Sequence, residues 1–317
     1  MKILNRIKIL LLVMLSFGCF SCSSAPTEVP IYISEIQKEK DFPVTAVFFG
    51  DTRAKNIMEF WRQSGEKYKK QIMAAIVAEK PEFIVHSGDM VLKGSSKSEW
   101  KSFDDEQKVV RDANIPYFPC LGNHEYWGDN AKALENYFDR FPDIMGQKWY
   151  SIKYKNVLML FLDTNYSDLK NYEIKIQDRW LKKSLEVAEK DATVSFVIVV
   201  THQPPYSNGI YHKDNEKVIK NVVNNLKKCS KVGLFISGHN HTYEHFLIDG
   251  IRYVVSGGGG APLMDRVSAN KRKHQDMCSF EGERFFHYCK IVFKESSLDF
   301  SMNMLMSDGK WEIKDSF

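Results

Sequence analysis

The sequence predicts an α/β domain of layered sheets and helices, with an antiparallel extension near its C-terminal end. Two observations carry that expectation. From residue 43 onward, short apolar runs alternate with amphipathic stretches of helical period, as strands separated by crossover helices do. After residue 246 the helical stretches stop and strands follow one another, with Asp249-Gly250 and Asp308-Gly309 as turn signals. The chain has 317 residues, 44% of them hydrophobic and 26% charged. That composition excludes intrinsic disorder, collagen-like repeats and a polytopic membrane protein.

In chain order, Val44-Thr45-Ala46-Val47-Phe48-Phe49 reads as a buried strand. Residues 66–79 read as a helix, because Ile72, Met73, Ile76 and Val77 share one face. A second strand follows at 83–86 and a helix at 99–113. Pro116 introduces a third strand over 117–121. Two paired strands are expected at 149–154 and 157–162, turning at Lys155-Asn156. Residues 177–188 are helical, with Trp180, Leu181, Leu185 and Ala188 at helical spacing. The β-branched run 196–200 is a strand, 218–226 a helix and 232–236 another strand. The hairpin 246–248 and 251–255 comes next, then strands at 288–293, 298–306 and 311–313. Residues 43–317 thus form one domain, with 263–317 as C-terminal strands completing the sheets. No internal repeat or low-complexity block interrupts it.

Residues 1–18 carry an address. Lys2, Arg6 and Lys8 open a segment whose apolar run, from Ile7 through Phe17, is broken only by Lys8 and Ser16. The run is too short to span a bilayer and follows positive charge, so it reads as a secretory signal. Cys19 stands just after it, then Phe20-Ser21-Cys22. A cysteine in that place resembles the lipobox of bacterial lipoproteins. That resemblance implies a lipidated N-terminus at Cys19, with Cys22 as the rival, and a tether over residues 19–42. The expected location is the bacterial cell envelope, membrane-anchored and facing the periplasm or exterior.

The formal charge of +4 comes from 44 Lys and Arg against 40 Asp and Glu. Three of the positives lie in the address, which leaves 41 against 40 for the rest. A near-neutral body has no electrostatic footprint for nucleic acid, and none is expected as a partner. Export puts Cys120, Cys229, Cys278 and Cys289 in an oxidising compartment. The spacing of Cys278 and Cys289 allows a bridge, while Cys120 sits in an apolar run as a small hydrophobe. None of these four has C-x-x-C spacing, so a cysteine-based zinc site is not expected.

The functional signal stands at the strand ends. Gly50-Asp51-Thr52-Arg53 follows the first strand, Gly88-Asp89 the second and Gly122-Asn123-His124-Glu125 the third. Thr201-His202 ends the Val-rich strand, and Gly238-His239-Asn240-His241 follows the last buried one. One Asp after a strand is commonly a turn or a helix cap. Five strands that each deliver Asp, Asn or His past their C-terminal ends, where open α/β sheets bind ligands, make a site. Carboxylate oxygens and imidazole nitrogens suit Zn, Mn and Fe, and one carboxylate can bridge two cations about 3.5–4 Å apart.

In the order of these motifs the chain resembles the calcineurin-like metallophosphoesterase superfamily, which includes the purple acid phosphatases. The resemblance runs from about residue 44 to 262. It implies an α/β fold of four layers, an α-β-β-α sandwich with two mixed β-sheets. It also implies two divalent or mixed-valence ions of Fe, Mn or Zn. The first would take Asp51, Asp89 and His241, and the second Asp89, Asn123, His202 and His239. His124 would reach the leaving-group or a phosphoryl oxygen, with Glu125 fixing its ring. The implied activity is hydrolysis of a phosphorylated small molecule by metal-activated water.

Two departures bear on that reading. The common D-x-H motif is here Asp51-Thr52-Arg53, and the Tyr that purple acid phosphatases place three residues after the bridging Asp is Leu92. Arg53 cannot ligate a metal and is expected to grip the phosphate of the substrate bidentately. Its alternative is an outward pairing with a carboxylate. His86 is expected beside the site without ligating, and His212, His245, His274 and His287 in surface or structural roles. The run Gly257–Gly260 either contacts phosphate or turns near the site. Substrate choice is expected in the loops 91–97, 125–133, 166–173 and 204–215, where Tyr206 either stacks on the substrate or packs the loop. The competing functions are a phosphodiesterase or nucleotidase, and a non-catalytic binding protein with a weakened first metal site.

Overall fold

A computed structural model of the chain describes residues 29–36, 38–278 and 284–317. The address and both N-terminal cysteines lie outside the described residues. The described residues form two six-stranded sheets. In the first, β1 (Val44–Phe49), β2 (Phe83–His86) and β3 (Tyr117–Pro119) run parallel. On the other side of β1 stand β10 (His287–Phe293), β11 (Leu298–Leu305) and β12 (Trp311–Ser316), all antiparallel. In the second sheet β5 (Val157–Phe161), β6 (Phe196–Val200), β7 (Val232–Ser237) and β9 (Ile251–Ser256) are parallel. The antiparallel strands β4 (Tyr150–Tyr154) and β8 (Tyr243–Ile248) form its edges. The strands after residue 263 therefore extend the first sheet alone, by the Val44↔Phe293 register.

The two-residue period of each strand builds the layers. Ile198 and Val200 of β6 face the core shared with the first sheet, while Val197 and Val199 face the helical side. There they meet Leu181, Leu185 and Ala188 of the 20-residue helix Asn171–Lys190. The first sheet is covered on its outer side in the same way, by Ile72, Met73 and Ile76 of helix Lys69–Ala78 and by Trp100 and Phe103 of helix Lys97–Glu106. Helix, sheet, sheet and helix make the expected four-layer sandwich.

Three local differences from the sequence reading have physical causes. The helix expected over 99–113 is broken at Gln107, whose backbone leaves the helical region between Lys97–Glu106 and Lys108–Asp112. The helix expected from 218 begins at Glu216, capped by Asn215, and contains a π turn at Ile219–Val223. Part of the supposed substrate loop 125–133 is the start of a further helix, Asn130–Phe138, which Asp129 caps by accepting from Ala131 N and Lys132 N. Cys278 and Cys289 are not bridged to each other, and the Cys289 thiol donates to Ser256 Oγ.

Candidate metal centre

The five strand ends converge where the two sheets meet. The segments after β1, β2 and β3 come from one sheet, and those after β6 and β7 from the other. Asp51, Asp89 and His239 have φ of 58°, 57° and 68°. A non-glycine residue in this left-handed region is uncommon and costs about 1–3 kcal/mol in sparsely populated cases. Three such residues in one cluster mean that the surrounding structure holds their side chains against backbone preference. Backbone hydrogen bonds of ordinary length between two strand-end loops hold the first two. Asp51 N donates to Gly88 O at 3.0 Å, and Thr52 N and Arg53 N both donate to Asp89 O at 3.0 Å. Gly238 is required here, because a Cβ at that position would lie 2.3 Å from Asp51 Oδ2.

Two groups of donors result. Asp51, Asp89 and His241 bring ligand atoms within 4.8 Å of one another, and so do Asp89, His202 and His239. Asp89 belongs to both. Asn123 joins the second group, its Oδ1 lying 3.1 Å from His202 Nε2. The imidazoles are set by their far nitrogens. His202 Nδ1 lies 2.8 Å from Ser87 O and His241 Nδ1 2.6 Å from Pro262 O. A carbonyl only accepts, so these nitrogens donate and leave each Nε2 with a lone pair aimed inward.

Those lone pairs have acceptors for neighbours. His202 Nε2 faces Asn123 Oδ1 at 3.1 Å and Asp89 Oδ1 at 3.3 Å, and His241 Nε2 faces Asp51 Oδ1 at 3.4 Å. Acceptors crowded in a buried space need a cation between them or added protons. Protonation is written into the electrostatics. Burial lowers the pKa of His202, but the Asp89 carboxylate outweighs it and pushes His202 up to about 9. Burial likewise opposes ionisation of Asp89, and the charges of His202 and His124 hold it well below the usual carboxylate range. Burial and the His202 charge drive His239 well below its ordinary value. The donor set, carboxylate oxygens with imidazole nitrogens, fits two cations of the Zn, Mn or Fe kind.

His124 stands at the mouth. Its backbone N donates to Asp89 Oδ1 at 3.0 Å, and its Nε2 lies 3.8 Å from Asp89 Oδ2. The backbone of Leu92, standing where a Tyr was looked for, holds the ring: His124 Nδ1 meets Leu92 O at 2.6 Å. Asp51, Asp89, His202 and His241 are buried, whereas Asn123, His124 and His239 are partly exposed, so the centre opens over the second group.

The structure corrects the placement of three residues. Arg53 does not offer its guanidinium fork to the centre. Both terminal nitrogens donate to Glu59, at 2.8 and 2.7 Å, and Nη1 also donates to Ala54 O. The expected phosphate grip is thereby overturned in favour of a carboxylate pairing. Glu125 does not touch the His124 ring; its carboxylate accepts from the backbone N of Gly122, Asp89 and Met90 at 2.8 Å each, and from Val91 at 3.4 Å. One glutamate thus clamps the Asp89 loop to the Asn123 loop. His212, expected in a surface or structural role, lies with its ring centroid 4.2 Å from that of His239. It lines a cleft of about 370 Å³ with Gln203, Pro204 and Tyr211.

Other expectations stand as placed. His86 contacts Thr52 Oγ1 at 3.2 Å and accepts from Gly88 N, and burial lowers it to about 3. His245, His274 and His287 pair with Asp315, Asp214 and Ser256. Tyr206 packs on Tyr253 and His274. The glycine run is buried against the first loop, where Gly259 N donates to Gly50 O and Ala261 N to Asp51 O. Sequence reasoning overlooked Asp163. It follows β5 as Asp163-Thr164-Asn165, the same strand-end signal, and accepts from Tyr126 Oη at 2.5 Å beneath the Asn123 loop.

Residues 44–243 match the family model for calcineurin-like phosphoesterases. The chain belongs to the calcineurin-like phosphoesterase family. It is a phosphoesterase, and acid phosphatases stand among its relatives. It is 25% identical over 261 residues to purple acid phosphatase 4 of Arabidopsis thaliana, covering 73% of each chain. It is 27% identical over 252 residues to mouse (Mus musculus) tartrate-resistant acid phosphatase type 5, covering 69% of this chain and 71% of that protein. The fold resembles a purple acid phosphatase from yellow lupin (Lupinus luteus) seeds, with a TM-score of 0.66 and 19% identity over 88% of this chain and 54% of that one.

Proposed function

We propose that the chain hydrolyses phosphate esters of small molecules at a dinuclear metal centre. The first cation would be held by Asp51, Asp89 and His241, and the second by Asp89, Asn123, His202 and His239. The observation that carries this reading is the sharing of Asp89 between two converging donor groups. Two cations bound there would neutralise the charge that builds on phosphorus and would lower the pKa of a bound water toward neutrality.

The chain's own residues do the rest. The Glu125 clamp fixes the Asp89 backbone, and His124 N donates to Asp89 Oδ1, so the carboxylate is held in place. His124 donates through Nδ1 to Leu92 O, which leaves Nε2 at the mouth with a lone pair; Nε2 carries a proton for the leaving oxygen in the imidazolium form, which burial opposes and the Asp89 carboxylate favours. His212, on the opposite lip beside His239, hydrogen-bonds the ester and orients it. Arg53, locked on Glu59, adds a fixed positive charge felt by Asp89 and Asp51.

The test is hydrolysis of phenyl phosphate, bis-phenyl phosphate and nucleotides by protein reconstituted with Zn, Mn or Fe. Turnover of at least one class is expected. No turnover, with two metals bound per chain, would overturn the catalytic reading and leave a binding protein on this fold. We also propose that the protein is exported and anchored through Cys19, on the order of basic residues, apolar run and cysteine in residues 1–22. Cys19→Ala should lose fatty-acid labelling, and loss in Cys22→Ala instead would move the anchor to Cys22.

A further inference from the structure

The loop from Ala54 to Ser64 holds out Ile57, Met58, Phe60 and Trp61, exposed by 87, 70, 76 and 55%. Single exposed apolar residues are ordinary, but four within five positions form a contiguous patch of the kind that marks a ligand or partner. The backbone beneath them is well built. Glu59 accepts from Arg53 and from Arg62, the latter at 2.7 Å. Lys55 Nζ donates to Phe60 O and Arg62 O. The polar groups of the loop are thus turned inward and the apolar ones outward.

Both ends of this loop are tied to the metal centre. Arg53 lies two residues after Asp51. Gln63 O accepts from Leu263 N, next to the Pro262 carbonyl that holds His241. The Arg62 guanidinium lies 4.4 Å above the ring of Tyr211, the neighbour of His212. On the other lip Trp127, half exposed, packs edge-on to His124 with centroids 4.7 Å apart. Among the described residues five aromatic side chains are largely exposed: Phe60, Trp61, Trp127, Tyr172 and Tyr211. Four of these stand on three loops around one mouth.

Resting on the proposed hydrolase reading, we propose that this apolar collar selects amphiphilic phosphoesters. The phosphate group would sit at the centre and a long alkyl or acyl chain would lie against Ile57, Met58, Phe60 and Trp61. The reaction stays a hydrolysis: water adds its oxygen to phosphorus, the ester P–O bond breaks, and the alcohol leaves with a proton. A chain lying on a surface buries about half of each methylene, which corresponds to roughly a two-fold gain per CH₂ against about four-fold for full burial.

The test uses two series, from ethyl to octyl, on the metal-reconstituted full chain. Monomeric alkyl phosphates report kcat/KM at constant chemistry, and non-hydrolysable alkylphosphonates report Kd by calorimetry. Both should improve by about two-fold per CH₂. The slopes should flatten in a Phe60→Ser, Trp61→Ser double variant and persist in Ile313→Ser, which removes an exposed apolar side chain on β12. Flat slopes in the wild type overturn the collar, even where ethyl phosphate is turned over. A steep phosphonate slope without turnover of any ester supports the collar and overturns the hydrolase reading. Phosphatidylcholine vesicles with and without a long-chain phosphonate separate two sources of the chain, capture being read as the part lost in the Phe60→Ser, Trp61→Ser variant, because an anchor in residues 1–22 would hold any bilayer. Capture only by loaded vesicles shows an ester taken from a bilayer, equal capture by plain vesicles overturns substrate selection, and capture by neither, with the monomer slopes intact, shows a soluble ester.

Discussion

At the scale of single residues, position along a strand decided what the sequence could disclose. Asp51, Asp89, Asn123, His202, His239 and His241 were legible because each follows an apolar run that can only be a strand, and the fold brings the ends of those strands together. Arg53 was misjudged because its partner, Glu59, lies on a loop with no periodicity to place it. His212 was misjudged for a similar reason: nine residues of loop separate it from His202, and although the loop 204–215 was expected near the substrate, nothing local says which of its side chains folds onto His239. The residue-scale prediction concerns His124. His124→Ala should keep both metals, since the side chain is not in either donor group, and should slow turnover by about 10²–10⁴-fold, as loss of a general acid does. Esters with good leaving groups should lose less. An equal loss across leaving groups, measured as a Brønsted series, would make His124 a positioning residue.

At the scale of elements, two polar devices organise the loops, and each makes a prediction. The Glu125 clamp takes four backbone donors from two loops, so Glu125→Gln turns an amide donor toward donors and unpairs at least one. A loss of about 1–3 kcal/mol in denaturant unfolding is expected. Metal affinity should fall by about 10–100-fold, as for other groups that orient ligands. Were Glu125 to act through the His124 ring, as its sequence position led us to expect, kcat would fall with metal affinity unchanged. The second device is the pair Arg53–Glu59. Burial raises the Glu59 carboxyl, but the hydrogen bonds and charge of Arg53 outweigh it and hold the group at about 2. A depressed folded-state pKa stabilises above the unfolded value, 4.5, and the gain disappears as pH falls through about 2. Wild type should therefore exceed Glu59→Gln in unfolding free energy by a constant margin above pH 4.5 and by a shrinking one below it. A margin that stays constant down to pH 2 would show that Glu59 acts by shape alone. The helix Asn130–Phe138 teaches the same lesson in reverse. Its Asp129 cap and its buried Ala133 and Tyr137 at i and i+4 were present in the sequence, but the neighbouring Asn123 motif drew its first residues, through Ala133, into a loop reading.

At the scale of the whole molecule, the centre exists because two sheets present their C-terminal edges to each other. Asp51, Asp89 and Asn123 come from one sheet, and His202, His239 and His241 from the other, so neither sheet alone holds a complete donor group. The strand pattern disclosed a layered α/β domain and the resemblance implied its four layers; that Val197 to Val200 alternate between two cores is not written in a run apolar throughout. It did not disclose that every strand after residue 263 joins the first sheet, because a single strand carries no mark of which edge it will pair with. The central claim is that Asp89 holds two cations at once, and diffraction from reconstituted crystals at the metal absorption edge tests it most directly. Two anomalous peaks about 3.5–4 Å apart are predicted, with one Asp89 oxygen or its two oxygens touching both. A single peak at full metal loading, or two peaks with Asp89 bound to only one of them, would contradict the account.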